Sequence, residues 1–194
     1  NTWRNFYHKD NKKGGREAES VYDCSYPNVF NGLYKNYWTY DSFSILKKYE
    51  AATTLIGQNC LEGGKTMGLA AYGKNELYPK LTNKDLEHIT VPCNGDLKTA
   101  MFKGMKSKIA KEITPQNFKF YADPCQHVQL ETQREALDLI KKWVEITGIK
   151  NICIGGGYGL NVVANTYYVK HLPHCNFYFD PLADDTGTSI GAAR

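Results

Sequence analysis

The chain has 194 residues, 42% of them hydrophobic and 23% charged, with a formal net charge of +4. That length suits one ordinary domain with a sizeable core, and the mild, dispersed positive charge does not point to nucleic acid as a partner. Neither a signal-peptide pattern nor an apolar run of 18 residues is seen, so nothing argues for secretion or membrane spanning. Six cysteines (Cys24, Cys60, Cys93, Cys125, Cys153, Cys175) lie far apart with no C-x-x-C pair, so a zinc ribbon or thioredoxin motif is excluded. Scattered, reduced thiols suit a cytoplasmic location. The opening on Asn1 rather than Met, and the stop at Arg194 within a helical pattern, are expected to mark a piece of a longer protein.

Thr2–His8 and Glu19–Tyr26 are aromatic and β-branched and flank a charged Lys9–Arg16 segment containing Gly14-Gly15, which predicts a hairpin. Pro27–Tyr40 carries Phe30, Tyr34, Tyr37, Trp38 and Tyr40 among Asn, Gly and Lys. It reads as irregular, its aromatics either covering the hairpin or stacking on a sugar-like ligand. Asp41 or Ser42 caps a predicted helix to Ile56, with Phe43, Leu46, Tyr49, Ala52 and Ile56 on its apolar face and Gly57 as its stop. Leu61–Gly73 follows as a compact, glycine-containing helix expected to pack very close to a neighbour. Lys65 sits near its N-terminus, where its charge is disfavoured; it either faces an anion or lies exposed on a loop.

Asn75–Phe118 is weakly patterned and predicts short helices and loops, with Lys103, Lys106, Lys108 and Lys111 either meeting an acidic partner or lying on a solvated helix face. Asp123-Pro124 reads as the start of a long helix to Thr147, burying Cys125, Val128, Ala136, Leu139, Ile140, Trp143 and Val144 and ending at Gly148. A strand at Ile152–Ile154 comes next, so it is expected to be parallel and central, with Cys153 as a small core residue. Gly155, Gly156 and Gly157 then lead into a helix starting near Gly159, which carries Asn161 and Asn165 on one face. Bare backbone there is either a plain tight turn or a platform for a flat ring, with the helix N-terminus offering N–H groups to a phosphate or ribose oxygen. It matches neither standard phosphate-loop pattern. A second strand, Asn176–Phe179, leads to Asp184-Asp185, which either cap a helix or bind a cation. His171 and His174, split by Pro173, are a poor metal pair.

The order of elements resembles the C-terminal half-domain of the actin/hexokinase/Hsp70 (ASKHA, ribonuclease H-like) superfamily, with a mixed sheet in which a β-hairpin precedes α-β-α-β-α. Three motifs sharpen this. EGGKTMGLAAYG (62–73) resembles the E-x-K-x-M-G-L-A-P-Y-G signature of the NodU/CmcH-type O-carbamoyltransferases, of which tobramycin carbamoyltransferase is one. ICIGGGYGLNVVAN (152–165) is similar to their G-G-V-A-L-N-x-x-x-N, and DPLADDTGTSIGAA (180–193) to their P-x-x-x-D-x-G-x-x-x-G-A-A. The resemblance spans nearly all of 1–194, as a partial N-terminal-type domain. It implies ATP-dependent transfer of a carbamoyl group from carbamoyl phosphate, through carbamoyl-adenylate, to a hydroxyl of a small molecule such as a sugar or antibiotic. By the same resemblance Gly155, Gly156 and Gly157 cradle the adenosine with Asn161 at the helix start, Asp185 is a metal ligand for iron (or Mg²⁺), and Lys65 and Glu62 lie near the phosphates or adenylate. No histidine here forms the family's H-x-x-x-H metal pair, and Ala71 replaces its proline. The metal-histidine half and the adenylate-forming domain are thus expected upstream, downstream or in a partner chain, leaving this chain inactive alone. A sugar or acetate kinase of the superfamily, a tRNA threonylcarbamoyl transferase relative and a non-catalytic nucleotide-binding module are the competing readings.

Overall fold

A computed structural model describes residues 6–7, 14–38, 44–74, 100–102, 105–107, 110–183 and 187. Strand β1 (Phe6–Tyr7) pairs antiparallel with β2 (Gly14–Ser25), but through Gly14 and Gly15, which were expected in the connection; the stretch from Glu19 onward, expected to face Thr2–His8, pairs instead with the strand that follows it. Strand β3 (Val29–Trp38) returns antiparallel along β2. The irregular segment expected at Pro27–Tyr40 is therefore mostly strand. Two register shifts, between Glu17 and Ser20 and between Val21 and Tyr22, absorb its broken alternation. The hairpin leans on the body through Tyr34, whose ring lies 6.3 Å from that of Trp143.

Helix α1 (Ile45–Leu55) is capped by Ser44, whose Oγ accepts from the Lys47 N–H, two residues beyond the expected cap. It stops at Gly57, where φ is +77°. Its buried face differs from the expected one. Tyr49, Ala52 and Ile56 are buried as predicted, but Leu46 is exposed and Lys47 and Lys48 are buried. Lys48 Nζ lies 2.6 Å from both Glu131 and Glu135 on a distant helix, and that ion cluster sets the helix rotation. Helix α2 (Gly63–Ala70) turns Thr66 and Ala70 inward. Just after it, Gly73 passes so close to the next helix that a Cβ there would meet the Ala122 carbonyl oxygen at 2.3 Å.

Strands β4 (Ala100–Phe102) and β5 (Met105–Ser107) pair antiparallel, so Lys106 lies in a strand and not on the expected helix face. Helix α3 (Phe118–Thr147) starts a turn and a half before Asp123, with Pro124 inside it. Asp123 is no cap; its carboxylate accepts from the Lys74 N–H and fastens the end of the α2 segment. Gly148, with φ +70°, ends the helix as predicted. The first half of α3 packs α1 and α2 around Tyr49, Ala52, Leu55, Ile56, Ala70, Tyr121, Cys125 and Val128. The second half turns Leu137 toward Ala164, Tyr168, Leu172 and Cys175, against which Ile152, Ile154, Phe177 and Phe179 are packed.

Strands β6 (Asn151–Ile154) and β7 (Asn176–Phe179) run parallel in register Ile152↔Phe177, joined by helix α4 (Val162–His171). Among the described residues β6 pairs with β7 alone, in a sheet separate from β1–β3, so the expected central position is not seen there. One face of the pair is packed while Asn151, Cys153 and Tyr178 face outward; Cys153 is exposed, not a core residue. The architecture is mixed α/β, with an antiparallel hairpin and a parallel pair. No helix among the described residues is long and apolar enough to cross a membrane.

Candidate functional site

The unit β6–turn–α4 sets three glycines at the carboxyl end of a parallel strand, the end at which open α/β sheets take ligands. Gly155, Gly156 and Gly157 are all exposed, and a Cβ built on any of them would meet no atom within 4 Å. They therefore form a bare ledge, its far side formed by a 3-10 turn over Gly157–Leu160. Leu160, Val162 and Val163 rise beside it, each more than 40% exposed. Apolar side chains next to uncovered peptide planes fit a flat, weakly polar ring better than a phosphate. Only Gly156 needs its missing side chain for the backbone itself, with φ +82° and ψ 166°.

Asn161 sits where the 3-10 turn ends and α4 begins. Its side chain is turned inward at 6% exposure. The Oδ1 atom accepts from the Ala164 N–H (3.0 Å) as an N-cap, and the amide pairs with Gln129 on α3. Its place is thus under the ledge. Asn165 shares that face, donating to the Gly159 carbonyl at 2.7 Å. Tyr158, between the glycines, folds back to donate to Thr132 Oγ1 (2.8 Å); burial pushes its hydroxyl pKa up to about 12.

Glu62 and Lys65 come together at the start of α2, with Lys65 Nζ 2.6 Å from Glu62 Oε1 and 2.7 Å from Gln58 Oε1. Glu62 also accepts from the Asn59 N–H, and the Lys65 ammonium holds its carboxyl below the ordinary carboxylate value. Both side chains are solvent-accessible, and this pair meets the ledge only indirectly. Gly63 abuts the ring of Tyr49, and that ring stands edge-on to Tyr158 at 5.7 Å. Asp184 and Asp185 lie outside the described residues. Among the described residues, no group of three or more His, Cys, Asp or Glu could hold a metal ion. His171 instead lies against Tyr167, the rings tilted by 40°, with Nδ1 2.8 Å from that residue's carbonyl oxygen.

Sequence reasoning placed Tyr49 on the buried face of α1 but gave it no part in the site, and it singled out neither Gln129 nor Tyr158. Polar residues at 129 and 131–133 look like a solvated helix face, and only the aromatic set among glycines at 158 hinted at an inward anchor.

Comparison with known proteins gives this geometry a family. A family model described as carbamoyltransferase N-terminus matches residues 23–194. An uncharacterized protein of Synechocystis sp. is 29% identical over 164 residues, covering 75% of this chain and 26% of that protein. The chain thus spans about a quarter of that relative's length. With all three glycine-bearing motifs inside the matched span, the chain belongs to the carbamoyltransferase N-terminus family.

Proposed function

We propose that this chain is the nucleotide-holding part of an ATP-dependent O-carbamoyltransferase of the NodU/CmcH type, built on an ASKHA-like half-domain. The observation that carries the reading is the uncovered ledge at Gly155–Gly157, within a chain of the carbamoyltransferase family. In this reading the adenine ring rests on the ledge against Leu160 and Val162. Asn161 shapes the turn from below, since its side chain is already engaged with Gln129. Lys65, released from Glu62, supplies positive charge toward the phosphates or the adenylate.

Carbamoyl phosphate, water and ATP would give carbamoyl-adenylate, phosphate and pyrophosphate. The hydroxyl of a sugar, antibiotic or other small molecule then attacks the carbamoyl carbon, and AMP leaves. Asp185 is our candidate for one ligand of a divalent cation, Fe²⁺ by resemblance or Mg²⁺, with its other ligands from outside this chain. Such an ion would polarise the carbamoyl oxygen during attack. The remaining machinery would come from further parts of the polypeptide or a partner chain, in the cytoplasm.

The test is to give the full-length protein ATP, carbamoyl phosphate, a hydroxyl acceptor and Fe²⁺, and to follow pyrophosphate and AMP. Release of both only when carbamoyl phosphate is present supports the reading. Transfer of the γ-phosphate to the acceptor, leaving ADP, refutes it.

A further inference from the structure

Beneath the ledge lies a closed set of amides. Gln129, 4% exposed, fills all four of its hydrogen-bonding positions. Its Oε1 accepts from the Tyr49 hydroxyl (2.7 Å) and Asn161 Nδ2 (3.0 Å). Its Nε2 donates to Asn161 Oδ1 (3.2 Å) and Gln133 Oε1 (3.1 Å). A buried polar group left unpaired is costly, so each member fixes the orientation of the next. Asn161 is the hinge residue of the ledge, because its own N–H donates to the Tyr158 carbonyl and its Oδ1 caps α4.

Tyr49 reaches both halves of the site. Its hydroxyl enters the amide set, and its ring carries Tyr158 on one side. On another side its ring atoms lie 3.4 Å from where a Cβ on Gly63 would stand, at the start of α2. We propose that Tyr49, acting through Gln129, is a positioning residue that holds the glycine ledge in register with the Glu62–Lys65 segment, so that the two work as one nucleotide site. The proposal rests on the nucleotide reading above but has a readout of its own.

Ring and hydroxyl are separable: Tyr49→Phe keeps both ring contacts and removes the donor to Gln129, and Gln129→Met keeps length while removing the amide. In the full-length protein, at a temperature where circular dichroism shows each variant folded, hydrogen exchange over residues 155–165 and the ATP dissociation constant are measured. Both variants are expected to speed exchange in that segment at least tenfold and to weaken ATP at least tenfold. Leu55→Val, a buried change elsewhere in α1, is expected to leave both within twofold. Unchanged exchange in Tyr49→Phe overturns the proposal, as does equal loosening in Leu55→Val. If Gln129→Met fails to fold, Tyr49→Phe decides alone. Should the wild type fail to bind ATP while exchange rises in Tyr49→Phe, the nucleotide reading falls and the positioning role of Tyr49 is upheld.

Discussion

Replacing the ledge glycines one at a time separates folding from binding. Gly155 and Gly157 have negative φ and open space where a methyl would project. Alanine at either should leave stability unchanged or raise it by about 0.4–1 kcal/mol, because it restricts the unfolded chain without native strain. Gly156 is different: with φ +82° and ψ 166°, any side chain costs about 1–3 kcal/mol in backbone strain. Binding should respond in the reverse pattern. A purine face resting on the ledge buries roughly 100 Å² of apolar surface, worth about 2.5 kcal/mol at about 25 cal/mol/Å². A methyl on Gly155 or Gly157 lifts the ring off about half of that area, a loss of about 1.3 kcal/mol or nearly tenfold in affinity. The assay pairs urea unfolding with ATP titration calorimetry on the full-length Gly155→Ala, Gly156→Ala and Gly157→Ala proteins. Wild-type ATP affinity in both Gly155→Ala and Gly157→Ala would refute the idea that a ring lies there.

Gly73→Ala should cost about 1–3 kcal/mol in urea unfolding, because its methyl would stand 2.3 Å from the Ala122 carbonyl oxygen and backbone cannot step aside cheaply. Lys48→Met removes the cation lying 2.6 Å from each of Glu131 and Glu135, and a loss of about 3–5 kcal/mol is expected by the same measurement. The Lys65 ammonium, then the Asn59 N–H, keep the Glu62 carboxyl below its ordinary 4.5. A depressed folded value means the contribution is present above 4.5 and is lost as pH falls through that lower value. The Asn59 amide resonance should therefore titrate with a midpoint below 4.5 in the wild type and stay flat in Glu62→Gln.

What the sequence made legible was whatever is encoded within one turn of chain. Helix ends at Gly57 and Gly148 were readable because a positive φ needs that residue whatever surrounds it. The strand, glycine turn and helix of 151–171 were readable from a short apolar run followed by three successive glycines, with the helix onset displaced from Gly159 to Val162 by an intervening 3-10 turn. What stayed hidden depends on partners far along the chain. Lys48 looks like a solvent residue until Glu131 and Glu135, 83 and 87 positions later, come to meet it. Pro124 looks like a helix start until packing of Tyr121 and Ala122 carries the helix back past it. The strand at Val29–Trp38 was obscured because its bulged register spoils the simple alternation. For the candidate site, the ledge itself was visible, whereas the inward course of Asn161 was not, because Gln129 lies 32 residues away.

The interior under the ledge is wired with amides and hydroxyls where oil would have filled the same space. Oily packing tolerates a sideways slip of a few tenths of an ångström, since dispersion has no preferred direction. A donor aimed at a lone pair does not, since the bond weakens steeply off axis. The contour of this floor is therefore governed by angles more than by volume. Swaps that conserve bulk but turn a hydrogen the wrong way should blunt it more than swaps that merely change size.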